Sequence, residues 1–183
     1  NRVVEFNPEH PGAWALLAGW HDRRGEFREA VKCYIDALRI NPEEFQWLSN
    51  VGAILNDLRE FELALEYHDR SLLLNPQQCG TLSNKGNSLH ELRRYGEALA
   101  AHERALSLDP QFAEGWSNKA NTLRALRRHD EAFAAYDRAI FLNPGHAGAK
   151  ANKGVALCEL KRFDEALDQF DRALALQPEN ADA

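Results

Sequence analysis

Asparagine recurs at a fixed interval in this chain, and its side-chain amide is suited to binding a polypeptide backbone. Four asparagines lie 34 residues apart, at Asn50, Asn84, Asn118 and Asn152, and Leu16 holds the corresponding place one interval earlier. An asparagine amide carries both hydrogen-bond donors and an acceptor. Because asparagine is a poor residue for a helix interior, its recurrence needs a compensating reason. This asparagine column could hold an extended peptide, or it could bond a neighbouring part of the chain and set its packing.

The amides must be positioned by a repeating element. Prolines follow the same interval, each directly after Asn, Asp or Gln, at Pro8, Pro42, Pro76, Pro110, Pro144 and Pro178. A period of this length is typical of a repeat array, and proline after a polar residue ends a helix. Apolar residues are spaced by three and four, as at Leu48, Val51 and Leu55, which indicates an amphipathic helix. Each unit is therefore predicted to form two antiparallel helices, over roughly its first fourteen residues and roughly its residues 18 to 30.

The period divides the chain into five complete repeats. A frame starting three residues after each proline gives 11–44, 45–78, 79–112, 113–146 and 147–180. Residues 1–10 are then the end of a truncated preceding repeat, and residues 181–183 are a tail. The twentieth residue of each repeat is alanine, which lets two helices approach closely while larger residues fill the gaps. The predicted fold is an all-α solenoid of antiparallel helix pairs, in which each repeat contacts only its neighbours.

Composition and motifs exclude several classes of function. The net charge of −6 and the pI near 5.7 argue against nucleic-acid binding, which needs a basic face. No run of 18 apolar residues and no signal peptide is present, so no membrane association is expected. No HExxH, Walker A, GxSxG or paired-cysteine motif occurs. We therefore predict no catalytic residue, no cofactor and no metal site.

The cysteines and the first residue bear on the context of the chain. Cys33, Cys79 and Cys158 are too few and too far apart for a disulfide framework, and we expect unpaired packing residues in a reducing compartment. This expectation favours a cytoplasmic location. The chain begins with Asn and contains no Met, so we expect it to be an excerpt of a longer protein.

Two repeats carry a recognisable family pattern. It consists of W-x-x-x-A-N at Trp116–Asn121, A-x-x-x-Y at Ala132–Tyr136 and Pro144 in one, and of Leu82, Gly86, Leu89, Ala98 and Pro110 in the other. In these motifs the chain resembles the tetratricopeptide repeat family, and the resemblance covers its whole length. It implies a right-handed superhelix whose concave groove, lined by the first helix of each repeat, binds peptides of partner proteins.

The resemblance also implies which residues face that groove, namely those at the second, fifth, sixth, ninth, twelfth and thirteenth places of each repeat. The predicted peptide-binding residues are Asn50, Asn84, Asn87, Asn118, Asn121 and Asn152. The predicted specificity residues are His90, Glu114, Arg124 and Lys150. The segments Ser83–Asn87 and Ser117–Asn121 are similar to the repeat domain of O-linked N-acetylglucosamine transferases, where asparagines hold substrate polypeptide.

Three functions therefore stay open. The chain is a scaffold that binds a partner's extended peptide, or the substrate-recruiting region of a glycosyltransferase, or a self-assembling scaffold whose uncapped ends dock head to tail. A clamp for a C-terminal carboxylate, as in chaperone-binding members of the family, is not expected, because Ser83 and Gly148 stand where its lysines are needed.

Two further columns are assigned to packing. Lys85, Lys119 and Lys153 are expected to lay their stems between helices and to hold their ammonium groups in water. The alternative for this lysine column is attraction of an acidic ligand. His68 and His102 occupy the usual aromatic place of the second helix and are expected in the interior.

Overall fold

The computed structural model describes residues 9–176, and it is helical throughout, with no strand in that range. Its ten helices are α1 (Pro11–Arg23), α2 (Phe27–Ile40), α3 (Phe45–Asp57), α4 (Phe61–Leu74), α5 (Cys79–Glu91), α6 (Tyr95–Leu108), α7 (Ala113–Ala125), α8 (His129–Leu142), α9 (Ala147–Glu159) and α10 (Phe163–Leu174). The truncated repeat expected over residues 1–8, and the end of the fifth repeat with its tail over residues 177–183, lie outside the described residues.

The chain forms two compact units, Asn1–Arg94 and Tyr95–Ala183. In the first unit α1 pairs with α2 and α3 with α4, while α2 packs on α3 and α4 on α5. In the second unit α7 pairs with α8 and α9 with α10, while α6 packs on α7 and α8 on α9. The prediction of an all-α fold built from consecutive antiparallel helix pairs is confirmed.

Small residues set the spacing of the paired helices. Ala30, Ala64, Ala98 and Ala132 are fully buried, as a close approach of two helices requires. Glycine serves the same purpose opposite two rings. A Cβ on Gly52 would lie 2.5 Å from the His68 ring, and one on Gly154 would lie 2.7 Å from the Phe170 ring. A large ring in the second helix therefore needs a small residue at the eighth place of the first.

Two residues beyond the end of each first helix, the chain has a residue with left-handed backbone angles. Gly25 has a φ of 72°, and Arg59, Arg93, Arg127 and Lys161 have φ between 59° and 62°. Glycine is the usual residue at such a helix end because it has no Cβ to strain. The four basic residues place a cation at the negative end of the helix dipole instead. These turns reverse the chain and direct each second helix back along the first.

Candidate functional site

An open cleft of about 440 Å³ lies between α1 and α3 of the first unit. It is lined by His10, Gly12, Ala15, Leu16, Tyr34, Gln46, Trp47 and Asn50. Five of these residues occupy the second, fifth or sixth place of their repeat, which are places that the family resemblance assigns to the binding groove. Leu16, which interrupts the asparagine column, is 78% exposed beside the cleft.

Asn50 is held by a tyrosine of the preceding repeat. Its Nδ2 donates a hydrogen bond of 3.0 Å to Tyr34 Oη, which reaches it from α2. Tyr34 is buried, and desolvation raises the pKa of its phenol while the bond from Asn50 partly opposes that rise. Asn50 itself is exposed. The bond uses one N–H of the amide, so the second N–H and Oδ1 stay open to a ligand.

Asn121 is held in a comparable way in the second unit. Tyr136 Oη, from α8, donates a hydrogen bond of 2.6 Å to Asn121 Oδ1 on α7. Tyr136 is fully buried, and this burial raises its pKa to about 12, so the phenol remains a protonated donor at neutral pH. With Oδ1 occupied by the tyrosine, Asn121 can offer its two N–H groups to a ligand.

The other predicted asparagines lie half-buried on first helices. Asn84 and Asn87 are on α5, Asn118 is on α7 and Asn152 is on α9. The backbone carbonyl of Asn118 accepts a hydrogen bond of 3.1 Å from Thr122 Oγ1. The side-chain amides of Asn84, Asn87 and Asn152 have no hydrogen-bond partner between residues 9 and 176. They can therefore bond a ligand without breaking an internal contact.

A polar network between α3 and α5 was not anticipated from the sequence. Asn56 Nδ2 donates to the backbone carbonyl of Asn84 at 3.2 Å, and Asn56 Oδ1 accepts from Ser88 Oγ at 2.6 Å. Two turns earlier in the helices, Ser49 and Thr81 share a hydrogen bond of 2.7 Å. These pairs fix how two neighbouring first helices meet. In the sequence, the residue that could have indicated this network is Ser88, which is polar and occupies the tenth place of the third repeat. At that place the second repeat has Ile54 and the fifth has Ala156.

The predicted specificity residues are engaged in local contacts. Arg124 Nη1 donates to Glu159 Oε1 at 2.6 Å, joining α7 to α9. Lys150 Nζ donates to the carbonyl of Pro144 at 2.6 Å. Glu114 Oε2 lies 3.0 Å from His146 Nε2, without the alignment of a hydrogen bond. His90 is half-buried on α5. A partner that read these charges would compete with the existing contacts.

The lysine column belongs to the packing of successive helices. Lys85 pairs with Asp69, Lys119 with Glu103 and Lys153 with Asp137, at 2.5, 3.0 and 2.5 Å. Each acid lies 16 residues earlier, on the second helix of the preceding repeat. The lysine stems are largely covered, and the ammonium groups reach the surface beside carboxylates that are more than half exposed. The lysines are also poor candidates for attracting an acidic ligand, since a neighbouring carboxylate already offsets each charge.

No other kind of site stands out in the part of the chain that the structure describes. A second cleft, of about 390 Å³, lies between α9 and α10 and is lined by Ala147, Gly148, Ala151, Phe170, Ala173 and Leu174. Between residues 9 and 176, no group of histidine, cysteine or acidic side chains is arranged to hold a metal ion. Over the same residues no helix combines the length and apolarity needed to cross a membrane.

Comparison with protein families gave a match over most of the chain. Residues 21–78, 83–147 and 118–181 match a family model described as Tetratricopeptide repeat. A comparison with curated proteins gave no match.

Solved structures of similar fold come from several proteins. TTC0263, a thermophilic TPR protein from Thermus thermophilus, has a TM-score of 0.82 and 20% identity and covers 94% of each chain. MamA from Desulfovibrio magneticus RS-1 has a TM-score of 0.80 and 19% identity, covering 94% of this chain and 97% of that one. YrrB, described as a TPR protein with an unusual peptide-binding site, has a TM-score of 0.71 and 22% identity, covering 98% and 92%. At these identities the likeness shows the fold alone.

Proposed function

Because the chain belongs to the tetratricopeptide repeat family, we propose that it is a protein-interaction scaffold whose first helices bind an extended segment of a partner protein. The backbone of that segment would be held by Asn50, Asn84, Asn87, Asn118, Asn121 and Asn152. Its side chains would be read by His90, Glu114, Arg124 and Lys150. In this proposal the chain acts by binding and carries no catalytic residue or cofactor.

The pair Tyr34 and Asn50 is the observation that carries the proposal. A buried hydroxyl fixes one side of an exposed amide, and the other side stays open next to a cleft. An amide held in this way loses less side-chain freedom when it binds a peptide backbone, which favours affinity. YrrB, which has a similar fold, is described as having a peptide-binding site, and this supports a peptide as the partner proposed for this chain.

A glycosyltransferase region is the second candidate function. Asn84 and Asn87 lie almost one turn apart on α5, within the segment Ser83–Asn87 that is similar to the repeat domain of O-linked N-acetylglucosamine transferases. Their open amides would hold a substrate polypeptide for a catalytic domain elsewhere in a longer protein. The sequence of the full-length protein decides between this role and a scaffold without an enzyme.

Self-association is the third candidate function. Phe163, Leu167 and Leu174 on α10 are 63%, 60% and 55% exposed. The residues at the same place as Leu167 in the second and third repeats, Leu65 and Leu99, are 8% exposed. An exposed face of this kind would allow end-to-end docking of two copies. Light scattering that increases with protein concentration supports docking, whereas a constant monomer mass removes it.

A comparative pull-down tests the proposal. The wild-type chain, the Asn118→Ala/Asn152→Ala variant and a Gln111→Ala control are used as baits, and bound proteins are identified by mass spectrometry. Gln111 is exposed in the turn before α7, so its loss removes an amide away from the asparagine column. We expect at least one partner to be lost from the double variant and retained by the control, with helical content unchanged by circular dichroism. Equal capture by all three baits would refute the proposal.

A further inference from the structure

The exposed leucine beside the cleft between α1 and α3 breaks the pattern of the other repeats. We propose that this cleft, the α1–α3 cleft, is a subsite for a large, uncharged apolar side chain of the bound segment, with the amides of Asn50 and Gln46 holding the backbone on either side. The inference rests on the proposed function and adds the chemical class of the ligand at one place.

The lining of the α1–α3 cleft defines that class. Ala15, Leu16 and Trp47 supply its apolar surface, and none of its lining residues carries a carboxylate, an ammonium or a guanidinium group. A charged side chain placed there would find no opposite charge among the lining residues. An apolar side chain would instead cover the exposed part of Leu16, with the gain that burial of apolar surface provides.

The polar groups of the cleft favour a peptide over a free apolar molecule. Asn50 lines the cleft, and its bond to Tyr34 uses one N–H, which leaves the second N–H and Oδ1 for a ligand. Gln46 lies one turn earlier on α3 and is exposed. Successive side chains of an extended peptide point in opposite directions, so one can enter the cleft while the neighbouring amides meet Asn50 and Gln46.

The combination of residues is confined to the junction of the first two repeats. The sixth place is leucine in the first repeat and asparagine in the other four. The third place is tryptophan in the second repeat, at Trp47, whereas the other repeats have small residues there, at Ala13, Thr81, Gly115 and Ala149. A leucine at the sixth place followed by a tryptophan at the third place of the next repeat therefore occurs at one junction. A volume of about 440 Å³ admits a leucine, phenylalanine or tryptophan side chain.

A titration by NMR tests the inference on the whole chain. The probes are N-acetyl-phenylalanine amide and N-acetyl-leucine amide, each of which presents an apolar side chain between two amides, and N-acetyl-glycine amide as the control. We expect shifts of the Trp47 indole N–H and of the Asn50 side-chain amide, with roughly ten-fold tighter binding of the two apolar probes than of the glycine probe. The indole of Trp116 donates to the carbonyl of Pro110 at 3.0 Å in the other unit and should not shift.

The Leu16→Asn variant provides the matched comparison, because it installs the residue of the other repeats on an exposed position. We expect it to keep its helical content and to bind the apolar probes several-fold more weakly. Equal binding of the glycine probe, or an unchanged affinity in this variant, would overturn the inference. So would shifts of Trp47 that follow protein concentration without a probe, because these would make a second copy the occupant.

The outcome separates this inference from the proposed function. Partner capture that depends on Asn118 and Asn152 but not on Leu16 would refute the apolar subsite alone. Apolar probes that bind at Trp47, combined with partner capture that is indifferent to Asn118 and Asn152, would refute the asparagine-based function alone.

Discussion

Tyr136 Oη donates a hydrogen bond of 2.6 Å to Asn121 Oδ1 within one repeat, whereas Tyr34 accepts from Asn50 in the next repeat. Both tyrosines occupy the twenty-fourth place, but they bond asparagines at the ninth and the sixth place respectively. The same buried hydroxyl position can therefore orient either of two amide columns. In one case it leaves the N–H groups open, and in the other it leaves an N–H and the oxygen open.

Removal of the Tyr136 hydroxyl should lower stability. In Tyr136→Phe the ring stays packed, but Asn121 Oδ1 loses the donor that a fully buried tyrosine supplies. We expect the free energy of unfolding to fall by about 1 kcal/mol, measured from urea denaturation. Tyr34→Phe is the matched variant and should cost less, because Asn50 is exposed and can bond water instead. Equal free energies of unfolding for the two variants would contradict this prediction.

Stability should fall at acidic pH through His68. His68 is fully buried, and burial lowers its pKa to about 4 from an ordinary 6.5, with Lys85 lowering it further and Asp69 opposing the change. Between pH 6.5 and about 4 the unfolded chain binds a proton that the folded chain does not. The contribution of His68 to the free energy of unfolding is therefore fully present above pH 6.5 and is lost as the pH falls to about 4. The free energy of unfolding should fall by about 3 kcal/mol through this residue.

The His68→Phe variant isolates that effect. Phe170 faces Gly154 in the fifth repeat as His68 faces Gly52 in the second, so the chain already accommodates this pair of residue types. The stability of wild type and variant is measured by urea denaturation from pH 7 to pH 4, so that contributions from other titrating groups cancel in the difference. We expect wild type to lose more stability than the variant below pH 6.5. Parallel curves would show that His68 does not titrate during unfolding.

A methyl group at Gly52 should destabilise the first unit. An added Cβ would lie 2.5 Å from His68 Cε1, a distance that forces the ring or the helix to move. We expect Gly52→Ala to cost about 1–3 kcal/mol in the free energy of unfolding. Gly80→Ala, on α5, is the control. A Cβ there meets nothing within 4 Å, and replacing a helical glycine should stabilise by up to about 1 kcal/mol. Opposite signs in thermal or urea unfolding are the expected result.

The sequence was sufficient for the helical architecture because its rules are local. Proline after a polar residue ends a helix, and the spacing of Leu48, Val51 and Leu55 defines one apolar face, whatever else the chain contacts. The same local reasoning placed the predicted asparagines on first helices. Binding of a partner by those amides is still a prediction. The boundaries of the five repeats are also still a prediction.

The contacts of the polar side chains depended on the tertiary structure. The sequence placed Lys85, Lys119 and Lys153 in a column, but only the packing of successive helices showed that each pairs with an acid 16 residues earlier. In the sequence, Asn56 is not distinguished from other polar residues near a helix end. In the folded chain, α5 places Ser88 Oγ 2.6 Å from Asn56 Oδ1. A long side chain can reach several neighbours, and its choice depends on the register of two helices.

The sequence by itself therefore determined the period, the helix pairs and the family, since these follow from residue types repeated along one chain. Only the tertiary structure decided which amides are tied to a tyrosine, which charges are already paired, and that Leu16 and Trp47 border one cleft. The physical reason is that a hydrogen bond or a cleft requires atoms of different helices to meet within a few ångströms. That geometry is set by the packing of whole helices and not by the spacing of residues within one of them.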